Sequence, residues 1–393
     1  MSTSTQRMMR PLLVTAMTAA MVASVTLSSG CSRGLKPEVH KPSKLPEISA
    51  PVQALSEVWH ERVGGGDRKD PLRLQLASNE QLIIAANRDG EVTAWPVGSN
   101  KSLWTRKLKR PVSGGVTLQD DMAVVGTETG HLIALNSKTG ETLWQRKLTA
   151  SVLAPALIAG DRVVVLANDG TVTGTDRVTG QPVWSFDVPV PAISVRGSAS
   201  PILFDDNRVI VSSAGGRIYS LDLQTGVPQW EGRVAINQGR SDVQRLIDID
   251  GTPLISGRQL YVVSYQGQLK AVDLDSQRVR WSMDTSSLRS PATGIGNIYV
   301  STAEGNIEAY DEQDGKLLWT QKDLAYRDLS NPVVLGRYLI VGDADGYVHL
   351  LEQTEGKIVG RVRTRGAVRF LRVVNDRLLV DSSTGHLSIW QVR

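Results

Sequence analysis

The 393-residue sequence predicts an all-β fold: an eight-bladed β-propeller of four-stranded antiparallel blades, closed by an N-terminal strand that completes the last blade. Three observations carry that expectation. First, a Gly followed fourteen residues later by Trp recurs as Gly90/Trp104, Gly130/Trp144, Gly170/Trp184, Gly216/Trp230, Gly267/Trp281 and Gly305/Trp319. A seventh copy at Gly346 has Gly360 in place of Trp, and an eighth opens at Gly385, just before the chain ends. Second, the copies are 40, 40, 46, 51, 38, 41 and 39 residues apart, a period at which propeller blades repeat. Third, the Trp that the eighth copy lacks stands at the other end of the chain. Trp59 lies in a strand-like stretch, residues 55–63, with no Gly partner upstream. Joining the two ends removes the open edge on which blades would otherwise stack without limit.

Taken from the N-terminus, residues 1–30 read as a targeting segment. Arg7 and Arg10 precede an uncharged apolar run, residues 11–27, and Ser28, Ser29 and Gly30 lead to Cys31. Small residues before a lone Cys resemble the bacterial lipobox, although Ser28 stands where Leu is usual. The resemblance implies cleavage before Cys31 and its acylation, and Ser32 in place of Asp implies the outer membrane. Acylation at such a site exceeds the two signals that stable anchoring needs. An ordinary signal peptide or an anchor helix is the plainer alternative. Residues 31–53 then form the lipidated Cys and a flexible tether, because Pro37, Pro42, Pro46 and Pro51 among Lys, Glu and Ser build no packed element. The propeller takes residues 54–393.

The second blade shows the plan: strands at 112–119, 122–127, 131–136 and 142–147, with Val124, Val125, Leu132, Ile133 and Leu135 on buried faces. A turn from Asn136 to Gly140 joins the last two, with Gly where positive φ is needed. Its counterparts begin at Asp176, Asp222, Asp273 and Asp311. Those carboxylates are expected to hold turn backbone, not to act as acids or bases. The repeat Trps are expected to wedge each blade against the next, while Trp95 and Trp390 fall on third strands.

Composition narrows the function. The chain is 41% hydrophobic and carries +4 net charge, half of it from Arg7 and Arg10, so the remainder is nearly neutral. No basic run with interleaved aromatics points to nucleic acid. Cys31 is the only Cys, which excludes an intramolecular disulfide. His60, His131, His349 and His386 have no metal-ligand spacing, and no GxSxG, P-loop or CxxC is present. No metal, cofactor or catalytic residue is expected.

The repeat Asn136-x-x-Thr139-Gly140-x-x-x-Trp144, with its copies Asp176 to Trp184 and Asp222 to Trp230, resembles that of quinoprotein-type propellers. That group holds quinone-dependent alcohol dehydrogenases and the non-enzymatic BamB family of outer-membrane assembly lipoproteins. A dehydrogenase resemblance would imply a vicinal Cys pair, which this chain lacks. The BamB family is favoured by the lipobox, by the size, by Ala192-Ile193-Ser194-Val195-Arg196-Gly197, and by Arg245-Leu246-Ile247-Asp248-Ile249-Asp250-Gly251-Thr252-Pro253. Asn331-Pro332-Val333 and Val341-Gly342-Asp343 are similar to its seventh blade. The resemblance implies that Ile193, Val195, Arg196, Asp248 and Asp250 contact the periplasmic POTRA domains of BamA within the BAM complex. It leaves direct contact with unfolded outer-membrane proteins open. Ile193 and Val195 stand where the family often has Leu.

Spacing points to the same loops independently. The two longest intervals are consecutive, and their extra residues fall at 188–201 and 235–253, between the last strand of one blade and the first of the next. Links of that kind share one face of a propeller, so the two insertions are expected to be neighbours. Long loops on a rigid scaffold commonly bind partners, although Arg196 with Asp248 and Asp250 could equally form a local ion pair. Two other classes stay open: a periplasmic quinone-dependent oxidoreductase, testable by quinone absorbance, and a cell-wall-binding propeller, which exposed rings at Trp95 or Trp390 would favour.

Overall fold

The computed structural model describes residues 40–52, 55–64, 74–191, 199–235 and 247–392. They contain eight four-stranded antiparallel sheets and no helix. Blade one spans residues 77–107, blade two 112–147, blade three 157–187 and blade four 202–233. Blade five spans 254–285, blade six 292–321 and blade seven 333–363. Blade eight joins three C-terminal strands from 368 to 392 with Leu55–Arg62. Blade two has the four strands expected from its sequence, Val112–Gln119, Met122–Thr127, His131–Asn136 and Thr142–Lys147.

Closure follows the expected route. Leu55–Arg62 pairs antiparallel with His386–Val392, from Leu55 opposite Val392 to Arg62 opposite His386. Trp59 is buried, tilted against Trp95 at 6.5 Å between ring centroids, and donates through Nε1 to the Val97 carbonyl at 3.4 Å. The core is divided into eight apolar clusters, each made by two adjacent blades, including blade eight with blade one. Burial is therefore shared between neighbours, and a blade alone would expose both of its faces.

The repeat Trps seal these seams by a common geometry. Trp104, Trp144, Trp184, Trp281 and Trp319 donate through Nε1 to the carbonyls of Ser137, Arg177, Leu223, Glu312 and Gln353, at 2.8–3.2 Å. Each acceptor is the second residue of the next blade's turn. The indole face lies on that turn's glycine: a Cβ added at Gly180 would stand 2.5 Å from Trp144, and φ there is +67°. The turn is held by its first residue, since Asp176 Oδ1 accepts from the Val178 and Thr179 amides. These Asp side chains thus have the structural role their sequence suggested. Burying an indole contributes at most about 5 kcal/mol at ~25 cal/mol/Å².

The blade eight–one seam keeps the Trp59 bond to Val97 but has Asn100 at the glycine position, and two seams depart further from the rule. Blade five has Gln277, at φ 60°, where the turn glycine belongs. Trp230, half-buried as Trp104 and Trp319 also are, folds back over Gly232 of its own strand instead of lying on a turn glycine. At the other departure, blade seven has Gly360 in place of Trp. Blade eight offers no turn for an indole to grip, because its third and fourth strands are the two ends of the chain.

The Gly360 position is instead covered by residues assigned above to the flexible tether. The Val52 amide donates to the Val359 carbonyl at 2.8 Å, and the Val52 carbonyl lies where a Cβ on Gly360 would be. Leu45 and Ile48 pack on the blade six–seven cluster beside Trp319 and Val334. Residues 43–52 are therefore a docked strap, a correction to the expectation of a tether free as far as residue 53. Proline content blocks regular pairing but does not prevent single hydrogen bonds and apolar contacts. Residues 1–39, with Cys31, lie outside the described residues.

Candidate functional site: the connector face

Each blade sends its link to the next blade, and its second-to-third-strand turn, to one face. The Val188 amide meets the Gly170 carbonyl at 3.0 Å, and the Val234 amide meets Gly216 at 2.8 Å. Both long connectors are therefore rooted at such turns. Val188 and Val234 are buried, so each root is fixed before the loop departs.

The far ends of the two connectors meet. The Ser200 amide donates to Thr252 Oγ1 at 3.3 Å, and Ala199 and Ile249, both fully buried, share one cluster with Val234. Ile247 packs on Gly216, and the Asp248 carbonyl accepts from the Tyr265 amide at 2.8 Å. The expected neighbourhood of the two insertions is thus present. Gly251 lies against the Arg289 backbone, where a Cβ would stand 2.4 Å from the carbonyl carbon. A side chain there would push the loop off its seat.

The candidate residues divide. Ile193, Val195 and Arg196 lie outside the described residues. Asp248 is fully buried, while Asp250 is half-buried at the loop surface. Asp248 accordingly stands among the residues that shape the loop from within. Trp95 and Trp390 are buried at 3% and 6% exposure, which removes the exposed rings that a cell-wall-binding propeller called for. His131 and His386 occupy equivalent repeat positions, each with Nδ1 on the Thr two residues earlier, Thr129 and Thr384. Among the described residues no cluster of His, Cys, Asp or Glu is placed to hold a metal ion, and no helix is long and apolar enough to cross a membrane.

One polar cluster escaped the sequence reading. On blade seven Arg327 pairs with Asp343 at 2.8 Å and Asp345 at 2.6 Å, and His349 Nε2 meets Asp343 Oδ2 at 3.0 Å. Arg361 Nε donates to His349 Nδ1 at 3.2 Å, which puts the imidazole proton on Nε2, toward Asp343. Burial above all pushes His349 down from its usual value, against the pull of Asp343, and the hydrogen bonds from His349 and the Tyr347 amide keep Asp343 low despite its own burial. The strap ends on this cluster: Arg327 donates to the Ser43 carbonyl at 2.8 Å and Arg361 to that of Pro46 at 3.3 Å. Asp343 and His349 lie six residues apart in sequence, but Arg327 and Arg361 come from separate segments that no local pattern links to them. A third long connector, residues 63–76, also reaches this face, and its residues 65–73 lie outside the described ones.

The family model described as outer membrane protein assembly factor BamB matches residues 88–321 and 303–392. The chain belongs to the BamB family. It is 46% identical over 378 residues to BamB of Pseudomonas aeruginosa PAO1, covering 95% of this chain and 98% of that protein. Against BamB of Escherichia coli K12 it is 30% identical over 375 residues, covering 92% and 95%. The crystal structure of BamB from Moraxella catarrhalis superposes with a TM-score of 0.80 at 39% identity, over 86% of this chain and 99% of that one. A quinohemoprotein alcohol dehydrogenase from Comamonas testosteroni shares the fold, at 13% identity and a TM-score of 0.66 over 86% of this chain and 76% of that one. The proteins it matches at higher identity are named as assembly factors, a non-catalytic role, and the BamB family sets the terms for its function.

Proposed function

We propose that the chain is a scaffold lipoprotein of the outer-membrane β-barrel assembly machinery. Acylated at Cys31, it sits at the periplasmic face of the outer membrane and binds the POTRA domains of BamA through its two long connectors. One observation carries the reading: connectors 188–201 and 235–253 are rooted at buried turns and joined at their far ends, as the Ser200–Thr252 bond records. Two connectors whose ends are fixed side by side on one face of the ring lie close enough to engage one partner together. Ile193 and Val195 supply apolar anchors and Arg196 a directional polar contact. Half-buried Asp250 adds a carboxylate beside the connector, and the backbone of buried Asp248 holds the loop from within. Holding successive POTRA domains at one angle would present client strands for insertion.

The test is a pull-down of the purified BamA periplasmic region. The variant Ile193→Ala/Val195→Ala/Arg196→Ala is expected to lose at least about tenfold in affinity, equivalent to ~1.4 kcal/mol. A variant on the opposite face, Val178→Ser, should bind as wild type. Equal binding by the triple variant would remove the site from the reading, and absence of binding by wild type would remove the partner.

A further inference from the structure

We propose that residues 43–52 are a strap that fixes the exit of the N-terminal chain at the connector face, so that a lipid on Cys31 holds that face toward the membrane. The orientation rests on the lipid anchor of the proposed function, whereas the strap stands on contacts within the propeller. Its path runs down the outside of blade seven. At the connector face the Ser43 amide donates to the Ala325 carbonyl at 3.0 Å and its Oγ to the Asp323 carbonyl at 2.6 Å. Both acceptors lie in the link from blade six to blade seven. At the other end Val52 crosses Gly360 near the start of Ile358–Arg363, and the chain then turns into Leu55–Arg62. Arg327 and Arg361 grip strap carbonyls midway, from a cluster whose charges are already balanced by Asp343 and Asp345.

The strap does for the seam between blades seven and eight what an indole does elsewhere, since no turn exists there for a Trp to grip. It also shortens the span from the lipid to the propeller: Ser43 stands 12 residues after Cys31, an extended reach of about 40 Å. Were the strap undocked, the chain would leave instead from Leu55, at the opposite face. The strap therefore decides which face the anchor pulls.

Hydrogen exchange on the full-length protein in phospholipid vesicles tests this, together with lipid-borne quenching of a dye at Glu304→Cys on the connector face or Glu355→Cys on the opposite face. The Ser43 and Val52 amides should exchange at least about 100-fold more slowly than free chain, and the Glu304→Cys dye should be quenched several-fold more. The variant Leu45→Ser/Ile48→Ser, which alters the strap alone, should free both amides and equalise the dyes while blade amides stay protected. Free exchange of Ser43 and Val52 in the wild type, unchanged protection in the double variant, or equal quenching on vesicle-bound wild type would overturn the proposal. Release of wild type from the vesicles with both amides protected would support the strap and refute the anchor.

Discussion

The seam between blades two and three and the seam between blades seven and eight solve one packing problem differently. At the first, Trp144 lies on Gly180 and donates to the Arg177 carbonyl. At the second, Gly360 is bare and Val52 fills its place. A repeat residue is thus kept for its partner on the next blade, and blade eight, assembled from both chain ends, has lost that partner. The blade four–five seam is intermediate: Trp230 is kept, but Gln277 denies it a glycine seat.

The largest expected effects break one seam or the other. Trp144→Ala should destabilise by about 3–5 kcal/mol, as large-to-small core changes do, whereas Trp230→Ala should cost only about 2 kcal/mol. Urea unfolding of both variants measures the difference, and equal losses would contradict the seat argument. Arg327→Ala, at the strapped seam, leaves Asp343 buried without its cation and should cost about 3–5 kcal/mol. Arg258→Ala, which breaks the exposed pair with Asp275, should cost less than about 1 kcal/mol.

Acid sharpens the comparison further. His349 faces Asp343, Arg327, Arg361 and the Tyr347 ring, and its folded pKa is held below 6.5. The unfolded chain takes up the proton first, so the stability from the neutral ring is full above about pH 6.5 and declines as pH falls toward the folded value. A second proton would also face the Arg361 guanidinium at Nδ1. The urea midpoint should therefore fall between pH 7.5 and 5.5, with strap amides losing protection, and His349→Gln should flatten that slope. Asp273, lowered to about 2 mainly by the Ser276 amide, contributes only in a more acidic window, below about pH 4, so it leaves this range unchanged.

The smallest effects are gains. Gln277→Gly should stabilise the blade five turn by about 1 kcal/mol, because a non-glycine residue at φ 60° carries strain. Ile295, β-branched and at φ 49°, should gain similarly on replacement by Asn. Thermal melts resolve both, and a loss in either would show that its side chain holds contacts worth more than the strain.

The regular part of the fold was legible because each blade repeats its own evidence. The Gly-to-Trp interval marks the third and fourth strands, and the Asp or Asn turn between them carries its hydrogen bonds locally. Ring closure was legible from Trp59, since a Trp without its Gly implied a blade completed elsewhere. The strap was hidden, because two backbone bonds, one serine hydroxyl bond, two arginine contacts and two apolar side chains leave no periodic trace among the prolines. The connectors were visible as length alone. Their rooting on Val188, Val234, Ala199 and Ile249 depends on cross-blade contacts that no local pattern encodes. Asp248 resembled a contact residue in sequence, yet its side chain is buried in the loop's base.

Completion of blade eight by Leu55–Arg62 fixes the order in which this molecule can mature. A polypeptide made N-terminus first presents that segment early, but its mate, His386–Val392, follows only after the other seven blades. A chain that stops short of His386 therefore leaves Leu55–Arg62 without its partner strand, whereas pairing of the two segments covers both of their facing edges at once.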